Sequence, residues 1–382
     1  MMGLENKIFG DDVRYTLNNK ECVEIRKDFV NSKILILGGS GSIGSVFLLK
    51  FLKMNISFKN IYIVDKDENA TTELMRKINN FKVFKNINYI CSDIGLFNLK
   101  NFIKTYKISH YLNFAALKHV RSEENFFSTK YMLNTNFIYP FRTGNINNLT
   151  YLKKVFFIST DKSSDSLSIM GITKRIMEIK LGNLKKRFPK LKVSSVRFAN
   201  VSFTNGSLLQ SAYDKVLKNE LIGVPNNIYR YFIKKEEAAN LCLKSLLNSA
   251  DGYVLIPNKK SMKYAYSLLE IIKKIIIYMN FKPKILDGFF KKNSRDRFIK
   301  VIKRKIQGQK KLETFKDKNE KETVFDDNIN KIQLPSNRSI QKLEGKLINA
   351  KDEKHLRNLL KKITNNKNFH RSINRLKLKD SI

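Results

Sequence analysis

Lys33–Leu49, KILILGGSGSIGSVFLL, passes from an apolar run through Gly38, Gly41 and Gly44 and straight into a second apolar stretch. KILIL suits a buried strand and SVFLLKFLKM an amphipathic helix, so the glycines occupy a strand-to-helix turn. Such a turn lets the backbone approach a pyrophosphate, while the first N–H groups of the helix and the positive end of its dipole face the same point. Gly38, Ser40, Gly41, Ser42, Ile43 and Gly44 are therefore candidate phosphate-loop residues. About 20 residues on, NIYIVDKDE closes its apolar run at Asp65, where a carboxylate can accept from both hydroxyls of an adenosine ribose. A 2′-phosphate would meet that charge, so the pattern favours NAD over NADP, although Lys66 partly offsets the repulsion.

Working outward, apolar runs recur at INYICSD, HYLNFAA, KKVFFIST and LKVSSVRFANV, each separated by a helix-length segment. This alternation argues an α/β fold with a doubly wound, parallel sheet. In that architecture Asp93 and Ile94 fall near the adenine, with a helix N-cap the competing role for Asp93. Ala115 and Ala116, after the fourth run, complete the candidate cofactor wall. Beyond about Val201 the alternation loosens. Residues 1–32 read as an N-terminal extension, 33–200 as the dinucleotide-binding core, 201–335 as a substrate lobe interleaved with the core, and 336–382 as a helical tail. Within the lobe, 287–335 is lysine-rich and weakly periodic and reads as loop and short helix. In the tail, Ile340, Leu343, Leu347, Leu356, Leu359, Leu360 and Ile363 return at helical spacing. They suit either a self-association surface or a cover for the sheet.

The 382 residues can bury a large core. With 73 Lys+Arg against 34 Asp+Glu the formal charge is +39, which raises a nucleic-acid hypothesis. The lysines are scattered through the chain, however, and no zinc spacing, aromatic RNA-binding signature or basic heptad region accompanies them. Nucleic acid is thus not the expected partner. The surplus concentrates in 259–311, with 17 Lys/Arg against 3 Asp/Glu; that stretch suits anionic substrates or peripheral membrane contact, or is simply a solvated face. Cys22, Cys91 and Cys242 match neither a disulfide framework nor a metal site, so reduced thiols and a cytoplasmic protein are expected. No metal is expected. The start lacks a signal-peptide core, and YSLLEIIKKIIIYMNF is interrupted by Lys273 and Lys274, so no membrane span is expected.

The fifth run leads into ISTDKSSDSLSIMGITK, which sets Thr160, Asp161 and Lys162 at a strand end. Met170 and Lys174 stand one turn apart on the following helix. From spacing alone the trio is either catalytic or the polar rim of a turn. An adjacent acid and amine, partly desolvated beside a cofactor, can exchange protons near neutrality, so chemistry is compatible with the pair.

The GxxGxxG spacing, NFAALKHV and STDK…MGITK resemble the extended short-chain dehydrogenase/reductase superfamily. Within it, the chain is similar to the CapD-like polysaccharide-biosynthesis branch of nucleotide-sugar 4,6-dehydratases and epimerases. The resemblance extends through FGDDVRYTLNN, AALKHVRSEEN, VRFANVSFTNGSLL, IYRYFIKKEEAANLCL, GQKKLETF and the terminal leucine-rich helices. It implies tightly held NAD, a UDP-linked N-acetylhexosamine substrate and a homo-oligomer. Hydride would leave C4, a base would remove the C5 proton, an acid would protonate the departing C6 oxygen, and hydride would return to C6. The implied roles are Asp161 as acid, Lys162 as base, Thr160 as hydrogen-bond partner at C4 and Lys174 as ligand of the nicotinamide ribose. Met170 replaces the tyrosine usual in the superfamily, as in a set of CapD-like dehydratases. Asn200 and Arg230 are implied contacts of the UDP moiety, and Lys118 and His119 border the sugar, with a structural role open for His119. Arg197 suits a buried structural pair.

The chain departs from the branch at Asp165, Ser166 and Ser168, where an Asn-Pro pair and another Asn are usual. It departs again at Gly308, Gln309 and Lys310, where Gly-Glu-Lys is usual. The expected function is NAD-dependent dehydration of a UDP-N-acetylhexosamine, UDP-N-acetylglucosamine first, for surface polysaccharide. A UDP-hexosamine epimerase, or a catalytically weak relative that binds through its basic region, are the competing readings.

Overall fold

The structure is a computed structural model that describes residues 2–119, 123, 125–143, 150–164, 166–286, 295–302 and 312–363. Strand β1 (Lys33–Leu37) is buried at all but its first residue. Helices cover both faces of its sheet, which is why KILIL shows no alternation. It pairs in parallel with β2 (Asn60–Asp65) on one side and β4 (His110–Asn113) on the other. β3 (Ile87–Cys91) extends the first side. On the other side β5 (Lys154–Ile158), β6 (Lys192–Val196) and Tyr253–Pro257 follow, all parallel. Ile329–Gln333 and Glu322–Val324 close that edge antiparallel. The doubly wound α/β fold read from the sequence is thus the fold observed; among the described residues the sheet has nine strands, mostly parallel.

The strand order reverses direction between β1 and β4, so the chain diverges at their C-terminal ends and leaves a crevice there. Gly38 stands at its lip with φ +70°, and a Cβ on it would come within 2.5 Å of the Ala115 backbone nitrogen. The glycine is required twice over, by its left-handed backbone and by the neighbouring strand end. Below the crevice Phe47 and Phe51 of helix Gly44–Lys53 pack with helix Lys235–Lys244 on one face, and Ile103, Met177 and Leu181 pack on the other.

The lobe carries a second sheet, in which Lys282–Ile285, Asp296–Ile302 and Ile222–Pro225 run parallel. Helices Leu208–Leu217 and Leu268–Tyr278 cover it, and Leu4 and Ile8 of helix Met2–Phe9 join their core. A later helix of the N-terminal extension, Asn19–Phe29, instead buries Ile25 and Phe29 in the main core. Between the two helices Arg14 grips Glu237 through Nε at 2.7 Å and Nη2 at 2.8 Å.

The expectation of loop and short helix over 287–335 is corrected: Asp296–Ile302, Glu322–Val324 and Ile329–Gln333 are strands. Asp296–Ile302 buries Arg297 and Ile299 and exposes Lys300, and Ile329–Gln333 buries Ile329 and Ile332, each a short buried pair inside a lysine-rich stretch. The two tail helices, Ser339–Ile348 and Glu353–Lys361, pack Ile340, Leu347, Leu356 and Leu360 on Phe137, Ile172 and Ile176, so they cover a helical layer rather than the sheet itself. Among the described residues no helix is long and apolar enough to cross a membrane. Residues 303–311 and the tail beyond 363 lie outside the described residues, and with them Gly308, Gln309 and Lys310.

Replacing Gly38 by Ala is expected to lower the unfolding free energy by about 2–4 kcal/mol, from backbone strain plus the clash with Ala115. Denaturant unfolding of the purified variant against wild type measures it.

Candidate active site

The crevice opens into two adjoining spaces. The smaller, about 160 Å³, is walled by Gly38, Asp65, Asp93, Ile94, Ala115 and Ala116, together with Lys66 and Tyr131. The Asp65 carboxylate accepts the Ser40 N–H at 3.0 Å and the Asp67 N–H at 3.2 Å. Burial raises its proton affinity against the pull of those two N–H groups. Lys66 turns to the Tyr131 hydroxyl at 3.3 Å, and the same hydroxyl donates to Asp93. Asp93 is not a helix N-cap: its carboxylate accepts the Gly95 N–H at 2.7 Å, and Asn98 caps the next helix.

The larger space, about 560 Å³, runs from the glycine turn to the lobe. Gly41, Ser42, Ile43, Gly44 and Ala116 line its cofactor end. Ser40 does not line it: its hydroxyl faces inward to Thr71 at 2.8 Å and its N–H is given to Asp65. Asn205 of the lobe donates its N–H to the Ser42 hydroxyl at 2.9 Å, so the lobe closes directly over the turn.

Thr160, Lys162, Met170 and Lys174 share one wall of this space. Asp161, only 2% exposed, stands behind it. Its Oδ1 receives the Thr160 hydroxyl at 2.8 Å and the Lys162 Nζ at 3.3 Å. Two cavity-lining donors thus converge on one carboxylate oxygen behind them. The turn fits against helix Ile169–Arg187 only because Gly171 has no side chain, since a Cβ there would lie 2.3 Å from the Lys162 carbonyl. Ser168 caps that helix by accepting the Gly171 N–H at 3.1 Å. Lys174 Nζ donates to the Ile158 carbonyl at 2.9 Å. Burial pulls its pKa down to about 8 against the opposing charge of Glu178.

Lys118 and His119 also line the cavity. Lys118 Nζ reaches the Thr204 hydroxyl at 3.2 Å, and its pKa is lowered by burial and then by Lys235. The His119 ring lies against Gly206. Asn200 and Arg230 line the lobe end. Arg197 is the structural pair expected: Nε and Nη2 fork onto Glu178 at 2.8 and 2.7 Å, and Nη1 and Nη2 reach Glu320 at 2.8 Å.

Sequence reasoning missed three supports. Asn136 accepts the Leu117 N–H at 2.8 Å and donates to the Leu117 carbonyl and Thr173, fixing the loop of Lys118; it sits in a π-turn, Asn134–Ile138, a local distortion common at functional sites. Glu123 accepts the N–H groups of Ile169 and Met170 at 3.0 and 2.9 Å. Burial pushes its carboxyl up to about 7 despite those bonds. Glu313 holds Asn200 at 2.8 Å and Arg230 at 3.1 Å. Glu123 and Glu313 lie in the stretches AALKHVRSEEN and GQKKLETF, but the contacts of all three are to partners far away in the chain, which no local spacing marks. Asp165 lies outside the described residues.

Residues 34–333 match the profile of the polysaccharide biosynthesis protein family. The chain belongs to that family. Among relatives of this family member, the UDP-glucose 4-epimerase of Rickettsia bellii is 26% identical over 278 residues, spanning 71% of this chain and 74% of the relative. Among solved structures, Pen from Bacillus thuringiensis superposes with a TM-score of 0.67 at 20% identity, covering 84% of this chain and 98% of Pen. The UDP-Glc/GlcNAc 4-epimerase of Campylobacter jejuni gives a TM-score of 0.56 at 18% identity, covering 74% and 89%. WbmF of Bordetella bronchiseptica, solved with NADH, gives 0.52 at 17% identity, covering 67% and 80%. The structural likenesses show that this family member shares their fold.

The ammonium of Lys174 gives up its proton as pH rises through about 8, well below the ordinary value of 10.5. If Lys174 faces a bound nicotinamide dinucleotide, affinity for that dinucleotide, measured by titration calorimetry, is expected to fall between pH 7 and 9. Lys174→Arg, which stays charged, is expected to flatten that fall.

Proposed function

We propose that the protein holds NAD and removes water from a UDP-N-acetylhexosamine, UDP-N-acetylglucosamine first, to give a 4-keto-6-deoxy sugar nucleotide for surface polysaccharide in the cytoplasm. The turn at Gly38 fits a dinucleotide: a Cβ there would fill the close approach to Ala115, and Asp65 stands at the edge of the adjoining space. Asp65 supports NAD over NADP, because Lys66 is engaged with Tyr131 rather than set to receive a 2′-phosphate. When bound, the nicotinamide supplies hydride removal at C4 of the sugar and hydride return at C6.

The observation that carries the proposal is that Thr160 and Lys162 share a cavity wall with Met170 and Lys174. As hydride leaves C4, the C4 hydroxyl proton passes through the Thr160 hydroxyl to the Asp161 carboxylate, which accepts from it. Lys162 takes the C5 proton, which the adjacent C4 ketone has acidified, and gives it back to C5 as hydride returns to C6. Asp161 supplies the proton for the departing C6 oxygen. Since it stands behind the wall, that proton reaches the cavity through the Thr160 hydroxyl or the Lys162 amine, both bonded to Oδ1. Lys174 orients the nicotinamide ribose, and its charge stabilises the C4 oxygen as electron density shifts. Met170 cannot accept a proton, which supports a site organised around the Thr-Asp-Lys turn rather than around a tyrosine. Asn200, Arg230, Lys118 and His119 hold the nucleotide and sugar from the lobe side, and the guanidinium suits a diphosphate.

The second reading is an epimerase on a UDP-hexosamine, favoured by the name of the Rickettsia bellii relative. It would keep the oxidation and lose no water. A binding role through Lys303, Arg304 and Lys305 rests on residues outside those described.

Incubation of the purified protein with UDP-N-acetylglucosamine, read by mass spectrometry, is expected to yield a product lighter by one water. Lys162→Ala is expected to slow its formation at least ~100-fold without changing the bound NAD. A product of unchanged mass and altered stereochemistry would establish the epimerase instead.

A further inference from the structure

We infer that Glu313 is a positioning residue for the nucleotide: its carboxylate braces Arg230 and Asn200 from behind and links them mechanically to the Thr160–Lys162 turn. The inference rests on the reading of the large cavity as a UDP-sugar site. Glu313 is 8% exposed. Its Oε1 accepts from Asn200 Nδ2 at 2.8 Å and pairs with Arg230 Nε at 3.1 Å, and its Oε2 accepts the Tyr231 N–H at 3.1 Å. Three donors from two separate segments thus converge on one buried carboxylate.

Two roles fit such a cluster. Glu313 could occupy the anion site as an internal stand-in for phosphate, or it could hold the donors from the side away from the ligand. The cavity wall decides. Asn200 and Arg230 line the cavity and Glu313 does not, so the carboxylate lies behind them. Arg230 Nη1 donates to the Tyr229 carbonyl at 2.8 Å, which fixes the other edge of the guanidinium. An arginine already held in this way loses less side-chain freedom when it meets a diphosphate.

The next residues extend the brace to the chemistry. The Ser164 hydroxyl donates to the Thr314 carbonyl, two residues from Lys162. The Phe315 carbonyl accepts from Arg197 Nη1 at 2.8 Å, and its ring meets Tyr231 at 6.3 Å between centroids. Burial raises the proton affinity of Glu313, its donors oppose that, and the charge of Asp161 adds to it, so the two ends of the site lie within electrostatic reach. Leu312–Phe315 is therefore a strap joining the nucleotide contacts to the catalytic turn.

Titration calorimetry of UDP into the full-length, NAD-loaded protein tests this. Glu313→Gln is expected to weaken UDP at least about tenfold, while NAD content and thermal midpoint stay close to wild type. In an Arg230→Ala background the same change is expected to cost no more than about threefold, because the brace then has less to hold. If Glu313→Gln fails to fold, Glu313→Asp, which keeps the charge on a shorter arm, is read in the same cycle. Wild-type affinity in the variant, or an equal loss in both backgrounds, overturns the inference while leaving the UDP-sugar reading intact. Failure of the wild type to bind UDP overturns both.

Discussion

The forked ion pair between Arg197 and Glu178 is the contact on which the site depends. Both side chains are fully buried, one at the end of β6 and the other in helix Ile169–Arg187. Burial pushes the Glu178 carboxyl up, yet the guanidinium holds it below the usual carboxylate range. Glu178 Oε1 also accepts the Ser159 and Ser163 hydroxyls at 2.6 and 2.8 Å, the residues that flank Thr160–Lys162. Glu320 and the Phe315 carbonyl complete the arginine's partners and bring the returning lobe segment to the same point. Breaking such a pair leaves an uncompensated buried charge, a cost of about 3–5 kcal/mol. The catalytic turn, its helix and the lobe are held as one unit by charges that cannot separate cheaply.

That unit faces a crevice made by a different constraint. Strand order reverses beside β1, and Gly38 lets the turn approach Ala115 more closely than any side chain would allow. The lobe reaches across to both parts, touching the glycine turn through Asn205 and Ser42 and the catalytic turn through Thr314 and Ser164. The glycine turn and the Thr160–Lys162 turn are thereby both tied to the lobe through short serine side chains. The proposed acid–base chemistry on one sugar would need such rigidity, because the same few groups would serve C4, C5 and C6.

Much of this was legible in the sequence because it is written in local periodicity. The glycine spacing, the buried runs and the four-residue step from Met170 to Lys174 depend only on strand and helix repeats, and they located the crevice and one wall of the site. Features set by distant partners were not legible. Ser40 looks like a phosphate-loop residue but faces Thr71, and Asp161 looks like a cavity acid but sits behind Thr160 and Lys162. The strands Asp296–Ile302 and Ile329–Gln333 were hidden because each buries only two residues within a lysine-rich stretch. Glu123, Asn136 and Glu313 act through residues up to more than a hundred positions away, so no spacing rule could have found them.

The central claim is that one crevice carries out oxidation at C4 and reduction at C6 of the same hexose. Its most direct measurement follows deuterium placed at C4 of UDP-N-acetylglucosamine, by mass spectrometry and proton NMR of the released product. Expected is a product that has lost one water and carries the label at C6. A product that keeps the label at C4, or an unchanged sugar recovered from protein that holds NAD, would contradict it.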